Sequence, residues 1–147
     1  MAQQDDALAL LDADHIRVER LFTQYKTAAD SGRKRILAHE ICHELTLHTQ
    51  LEEEIFYPAF RQATGDDQLV QHSEQEHQHA KELVAKVEAD QTNAKLMLEL
   101  EDAVLHHVND EREKMFPAAR KAKGMDLMRL ARQLELRRSE LLVANPV

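Results

Sequence analysis

The sequence predicts an all-α protein, an up-down-up-down four-helix bundle with an additional C-terminal helix. Three observations predict it. About half of the 147 residues are Ala, Leu, Glu, Lys or Arg, the composition of long helices. Three Gly, three Pro, four Phe, two Tyr and no Trp leave little material for strands and their turns. Apolar positions recur in alternating steps of three and four within five stretches divided by breakers.

The first stretch opens near Asp5-Asp6 and closes at Ser31-Gly32, with the stripe Leu8, Leu11, His15, Val18, Phe22 and Tyr25. The second carries Ile41, Leu45, His48, Glu52 and Ile55 and ends at Thr64-Gly65-Asp66-Asp67. Val70, Ser73, His77, Ala80, Val84 and Val87 mark the third, which stops at Asp90-Gln91-Thr92-Asn93. Leu96, Leu100, Val104, His107 and Glu111 mark the fourth, up to Lys123-Gly124. Short loops between long amphipathic helices favour antiparallel neighbours. The bundle is therefore expected over about residues 5–122. A last helix over about 125–143, with Leu127, Leu130, Leu134 and Leu141, is expected to pack on its outside or end, all within one domain over 1–147.

The two halves repeat. His48-Thr-Gln-Leu-Glu52 runs on to Tyr57-Pro58, and His107-Val-Asn-Asp-Glu111 to Phe116-Pro117, with the aromatic nine residues after the His in both. Each copy follows a helix with one acidic-His pair, Asp14-His15 or Glu76-His77. This is the duplication of a helix hairpin.

A net charge of −8 repels phosphate backbones and anionic lipid, so neither nucleic acid nor a membrane surface is expected as a partner. One cysteine, Cys42, fits a reducing compartment and reads as a small, partly buried residue. The amino terminus has no signal-peptide pattern and no apolar run approaches 18 residues, so a cytoplasmic protein is expected.

Polar residues inside apolar stripes are the informative departure. At about 100° per residue, His48 and Glu52 lie about 40° apart, and Ile41 and Ile55 fall within about 20° of His48. The same counting turns His107 inward and leaves the adjacent His106 about 100° off. His39, His43, His72, His79 and His106 read as solvated. Six residues remain: His15, His48, Glu52, His77, His107 and Glu111. Burying them without a cationic partner would cost several kcal/mol per charge. Lys81, one turn from His77, is the best candidate for a buried ion-pair network instead. Four imidazoles and two carboxylates exceed what one tetrahedral ion needs and suit two ions, each held by two His and bridged by the glutamates. Imidazole with carboxylate suits iron, manganese or zinc.

At these residues the sequence resembles the hemerythrin-like (HHE cation-binding) family, as a bacterial single-domain member. The resemblance rests on Asp14-His15, His48 to Pro58, Glu76-His77, and His107-Val-Asn-Asp-Glu111 running into Met115-Phe116-Pro117, and covers roughly residues 5–120. It implies two iron ions in an oxo- or hydroxo-bridged centre that binds or senses O₂ or handles peroxide or nitric oxide. An iron-responsive regulator or buffer without turnover is the alternative. Oxygen-carrying members have a further His one turn away on the third helix. Here those positions are Ser73 and Lys81, which shifts weight toward peroxide chemistry or sensing. Tyr25 and Tyr57 are read first as bundle-filling aromatics.

Overall fold

A computed structural model describes residues 5–146. Helix α1 spans Ala7–Thr27, α2 Ser31–Leu51, α3 Tyr57–Thr64, α4 Asp67–Ala89, α5 Ala94–Asp110, α6 Phe116–Lys121 and α7 Leu127–Ala144. Two wide π-helical turns, Glu52–Phe56 and Glu111–Met115, join α2 to α3 and α5 to α6. Each junction therefore runs on as one long rod. With α1 and α4 the rods make the up-down-up-down bundle, and no strand occurs among the described residues. Among those residues no helix is long and apolar enough to cross a membrane.

The helix starts follow capping chemistry. Asp6, Asp30, Asp66, Asn93 and Asp126 each accept a hydrogen bond from the backbone N–H three residues on, satisfying a donor that the first turn cannot. Asp30 corrects one boundary: the first break is Ala28–Asp30, and Ser31-Gly32 opens α2 instead of closing α1. Gly65 ends α3 with φ 71°, where a side chain would be strained.

The π turns explain a second difference. Pro58 and Pro117 offer no N–H and crowd the carbonyl four residues back. Each follows a turn that closes with an i→i+5 bond, Tyr57 N–H to Glu52 O and Phe116 N–H to Glu111 O. The widened turn adds one residue to the rod. Counting at a constant angle carries Ile55 inward, yet Ile55 is only half-buried and Phe56 is wholly buried. Past the π turn the inward phase has moved by one position.

Two apolar clusters fill the bundle. One holds Leu8, Leu11, Leu51, Phe56, Phe60 and Met115, and α7 joins it through Leu130, Leu134 and Leu141. The other holds Val18, Phe22, Ile41, Leu45, Leu100 and Val104. Helix α7 lies along α1 and α2. Between the clusters sits a layer of buried polar side chains, where the six residues singled out by the sequence meet.

Candidate metal centre

His15, His48, Glu52, His77, His107 and Glu111 are all buried, the two glutamates completely. One group of ligand-capable atoms joins His15, His48, Glu52 and Glu111, and another joins Glu52, His77 and His107. Glu52 Oε1 lies 3.2 Å from His48 Nε2 and 3.1 Å from His77 Nε2, one imidazole from each half of the chain. Glu111 Oε1 mirrors it, 3.0 Å from His15 Nε2 and 3.5 Å from His107 Nε2.

The outer ring nitrogen of every one of these histidines meets a carboxylate. His15 Nδ1 donates to Asp12 at 3.0 Å, His48 to Asp14, His77 to Glu53 and His107 to Glu76, the last three at 2.8 Å. A ring that donates from Nδ1 presents a lone pair at Nε2 when neutral. Four such lone pairs converge, and His77 Nε2 faces His107 Nε2 at 3.0 Å. Buried His48 Nε2 and Glu52 Oε2 have no hydrogen-bond partner. A cation between these atoms removes the repulsion and fills the orphaned acceptors, so the donor set fits metal.

Electrostatics say the same. Burial opposes an imidazolium at His48, but the Glu52 carboxylate and the Asp14 hydrogen bond overcome it and raise its pKa to about 10. His77 and His107 are also raised against burial, chiefly by Glu52 and Glu53 and by Glu111 respectively. Burial would push Glu52 up, yet His48 beside it holds it well below the carboxylate range. The pocket demands positive charge and, without metal, takes it as protons.

Cations outside the pocket hold three of the four orienting carboxylates, Asp14, Asp12 and Glu53. Arg138 of α7 and Arg17 reach Asp14 at 2.6 and 3.2 Å. Arg112 Nε lies 2.6 Å from Asp12, and Lys81 Nζ 2.8 Å from Glu53. Lys81 therefore caps the site from outside and does not plug it. Glu53 is half-buried and orients His77, whereas Glu54 stays outside, on Arg137.

Tyr57 departs from its expected role. Its hydroxyl donates to Glu111 Oε2 at 3.0 Å and lies 3.0 Å from His77 Nε2 and 3.3 Å from Glu52 Oε1. Tyr25 does fill the bundle, bonding the Gln91 carbonyl at 2.8 Å. The i→i+5 turn stacks Tyr57 under Glu52, a placement that helical counting misses. Phe116, its counterpart, stacks on His15 at 5.9 Å without a hydroxyl to offer. Spacing alone had flagged the Tyr-Pro and Phe-Pro pairs, and that was the available signal.

On the opposite side of the polar layer, a small cavity of ≈ 20 Å³ touches the four histidines under Val18, Leu45, Val104 and Val108. That is room for one water-sized molecule. Cys42 is buried and donates to the Val84 carbonyl; burial, reinforced by Glu88, pushes its thiol up and away from reactivity. His39, His72, His79 and His106 are exposed as expected. His43 is half-buried, its Nε2 donating to the Asn145 carbonyl at the end of α7.

Comparison with known proteins agrees with this geometry. The family model described as the hemerythrin HHE cation binding domain matches residues 6–119. A DNA nickase from a Nostoc species is 30% identical over 111 residues, which are 73% of this chain and 31% of the nickase. The chain thus spans about a third of that relative's length. A solved structure of a hemerythrin HHE cation binding domain-containing protein from Mycobacterium kansasii has a TM-score of 0.76, covering 93% of this chain and 87% of its own at 19% identity.

Proposed function

The chain belongs to the hemerythrin HHE cation-binding domain family, and from that premise we propose that it works as one hemerythrin-like domain whose six buried ligands hold a pair of iron ions. His15 with His48 would hold one ion, His77 with His107 the other, and Glu52 and Glu111 would be shared. The observation that carries this reading is the convergence of four Nε2 lone pairs, each fixed by a carboxylate on Nδ1, upon two fully buried glutamates. Imidazole and carboxylate donors together suit iron. When bound, the pair supplies redox chemistry toward O₂, peroxide or nitric oxide.

The protein's own residues set the conditions. The carboxylates on Nδ1 fix ring orientation and raise imidazole basicity. Tyr57 closes the polar layer from the aromatic end. Its phenol stays protonated, since burial and then Glu111 and Glu52 raise its pKa well above the ordinary value. The small cavity at the other end, lined in part by Val18, Val104 and Val108, would be the place for one small molecule beside the histidines. The nickase activity of the Nostoc relative has no support in a chain with net charge −8, which repels DNA.

Anaerobic reconstitution with ferrous iron tests the proposal. The expected result is two iron per chain and new visible charge-transfer absorption on exposure to O₂, peroxide or azide. Two iron with no optical response to any of them would overturn it. A second reading, an iron-responsive regulator, draws on the Arg138–Asp14–His48 path from a surface helix into the site. It expects chelation to change the packing of α7 without any turnover.

A further inference from the structure

A second cluster of metal-ligating groups lies outside the core, across α4 and α5. His72 and Glu76 stand one turn apart on α4, and His106 and Asp110 one turn apart on α5. Their four ligand-capable atoms lie within 4.8 Å of one another. His72 Nε2 is 3.4 Å from Glu76 Oε2 and 3.2 Å from Asp110 Oδ2. His106 Nε2 is 3.5 Å and 3.6 Å from the same two oxygens. Zinc bonded at about 2.0–2.1 Å in a tetrahedron sets its ligand atoms about 3.3 Å apart, so these separations fit one such ion with little movement.

Two independent observations point to an occupant. Glu76 Oε2 is buried and has no hydrogen-bond partner, although Glu76 Oε1 accepts from His107 Nδ1–H at 2.8 Å. One carboxylate thus serves the core with one oxygen and aims the other into the surface cluster. The cluster also borders a groove of about 470 Å³ open to solvent, which gives an ion access. Lys114 sits 3.7 Å from the other oxygen of Asp110 and does not occupy the position between the imidazoles.

We propose that His72, Glu76, His106 and Asp110 form a second, surface site for a single divalent transition cation of the zinc class, joined to the core through Glu76. The histidines that the sequence marked as incidental are its entrance. Two imidazoles and two carboxylates carry the ligand number and type that such an ion takes.

Zinc uptake by the fully iron-loaded chain, measured by equilibrium dialysis, tests this. The parent is expected to take up one zinc more per chain than the double variant His72→Ala/His106→Ala, with the core metal content the same in both. Imidazole NMR signals of His72 and His106 are expected to shift on zinc addition in the parent. Equal uptake by parent and variant, or unmoved His72 and His106 signals, would overturn the proposal. The comparison is a difference between two proteins with the same core, so it stands whatever the core holds.

Discussion

Asp14 accepts the Nδ1–H of His48 across the helix interface at 2.8 Å and leaves its chain neighbour His15 to Asp12. Glu76 does the same in the second half, serving His107 and leaving His77 to Glu53. The acidic-His pairs along the sequence are therefore crossed pairs in space. Each acidic residue orients the histidine of the following helix.

That crossing makes Arg138 a positioning residue. It grips the same Asp14 oxygen that His48 uses, from a helix outside the bundle. Arg138→Ala is expected to weaken core metal binding about tenfold, within the range for lost outer partners of a ligand. Chelator competition measures it. Arg137→Ala, which removes exposed pairs with Glu54 and Glu140, is expected to leave the affinity unchanged.

Glu52 sits between His48 and His77, so its loss reaches both halves. Glu52→Gln is expected to lower the metal content from two ions per chain to less than one by elemental analysis. His39→Ala, on the exposed face, is expected to keep both ions.

Metal and protons compete for the same atoms. His48 has its pKa raised to about 10, so it stabilises the metal-free fold fully below its ordinary pKa of about 6.5, and that contribution is lost as pH rises toward 10. Metal loading is expected to release protons at pH 7, read with a pH dye in weak buffer. The melting gap between loaded and chelated protein is expected to widen from pH 7 to 9. An ion at a hundred times its Kd adds about 3 kcal/mol, or roughly 5–10 °C for a chain of this size.

Asp14 runs the other way at acid pH. Burial would raise it, but His48 and Arg138 lower its pKa to about 2. Its contribution of about 2 kcal/mol is present above the ordinary value of about 3.9 and fades as pH falls toward 2. Asp14→Asn is expected to flatten the acid-unfolding curve of the metal-free protein across that window.

The small cavity gives a test of access. Ala80 lines it beside Val104. Ala80→Val is expected to keep both ions and lower azide or nitric oxide affinity about tenfold, at a stability cost of about 1–3 kcal/mol from overpacking. Unchanged ligand affinity with the cavity filled would remove it as the entry position.

Counting at a constant helical angle placed six residues inward, because the four histidines lie in the regular helices α1, α2, α4 and α5 and Glu52 and Glu111 are the first residues of the π turns, before the phase has moved. It failed where the helix itself changes. Ile55 and Tyr57 lie in or past a π turn, and their phase cannot be read from a straight rod. Glu53 and Asp12 look like ordinary surface carboxylates along the chain, since only the neighbouring helix reveals which imidazole they meet. Arg138 lies 124 residues from Asp14, and no local pattern connects them.

The paired positions Tyr57 and Phe116, and likewise Glu53 and Arg112, stand at matching places in the repeated halves and differ in chemistry. A free hairpin assembling with its twin would have to change both faces at every substitution. Fusion into one polypeptide releases that constraint. One side of the pocket has a phenol and the other a plain ring, so a pair of ions held there by matching donors would meet unlike surroundings and need not behave as equals.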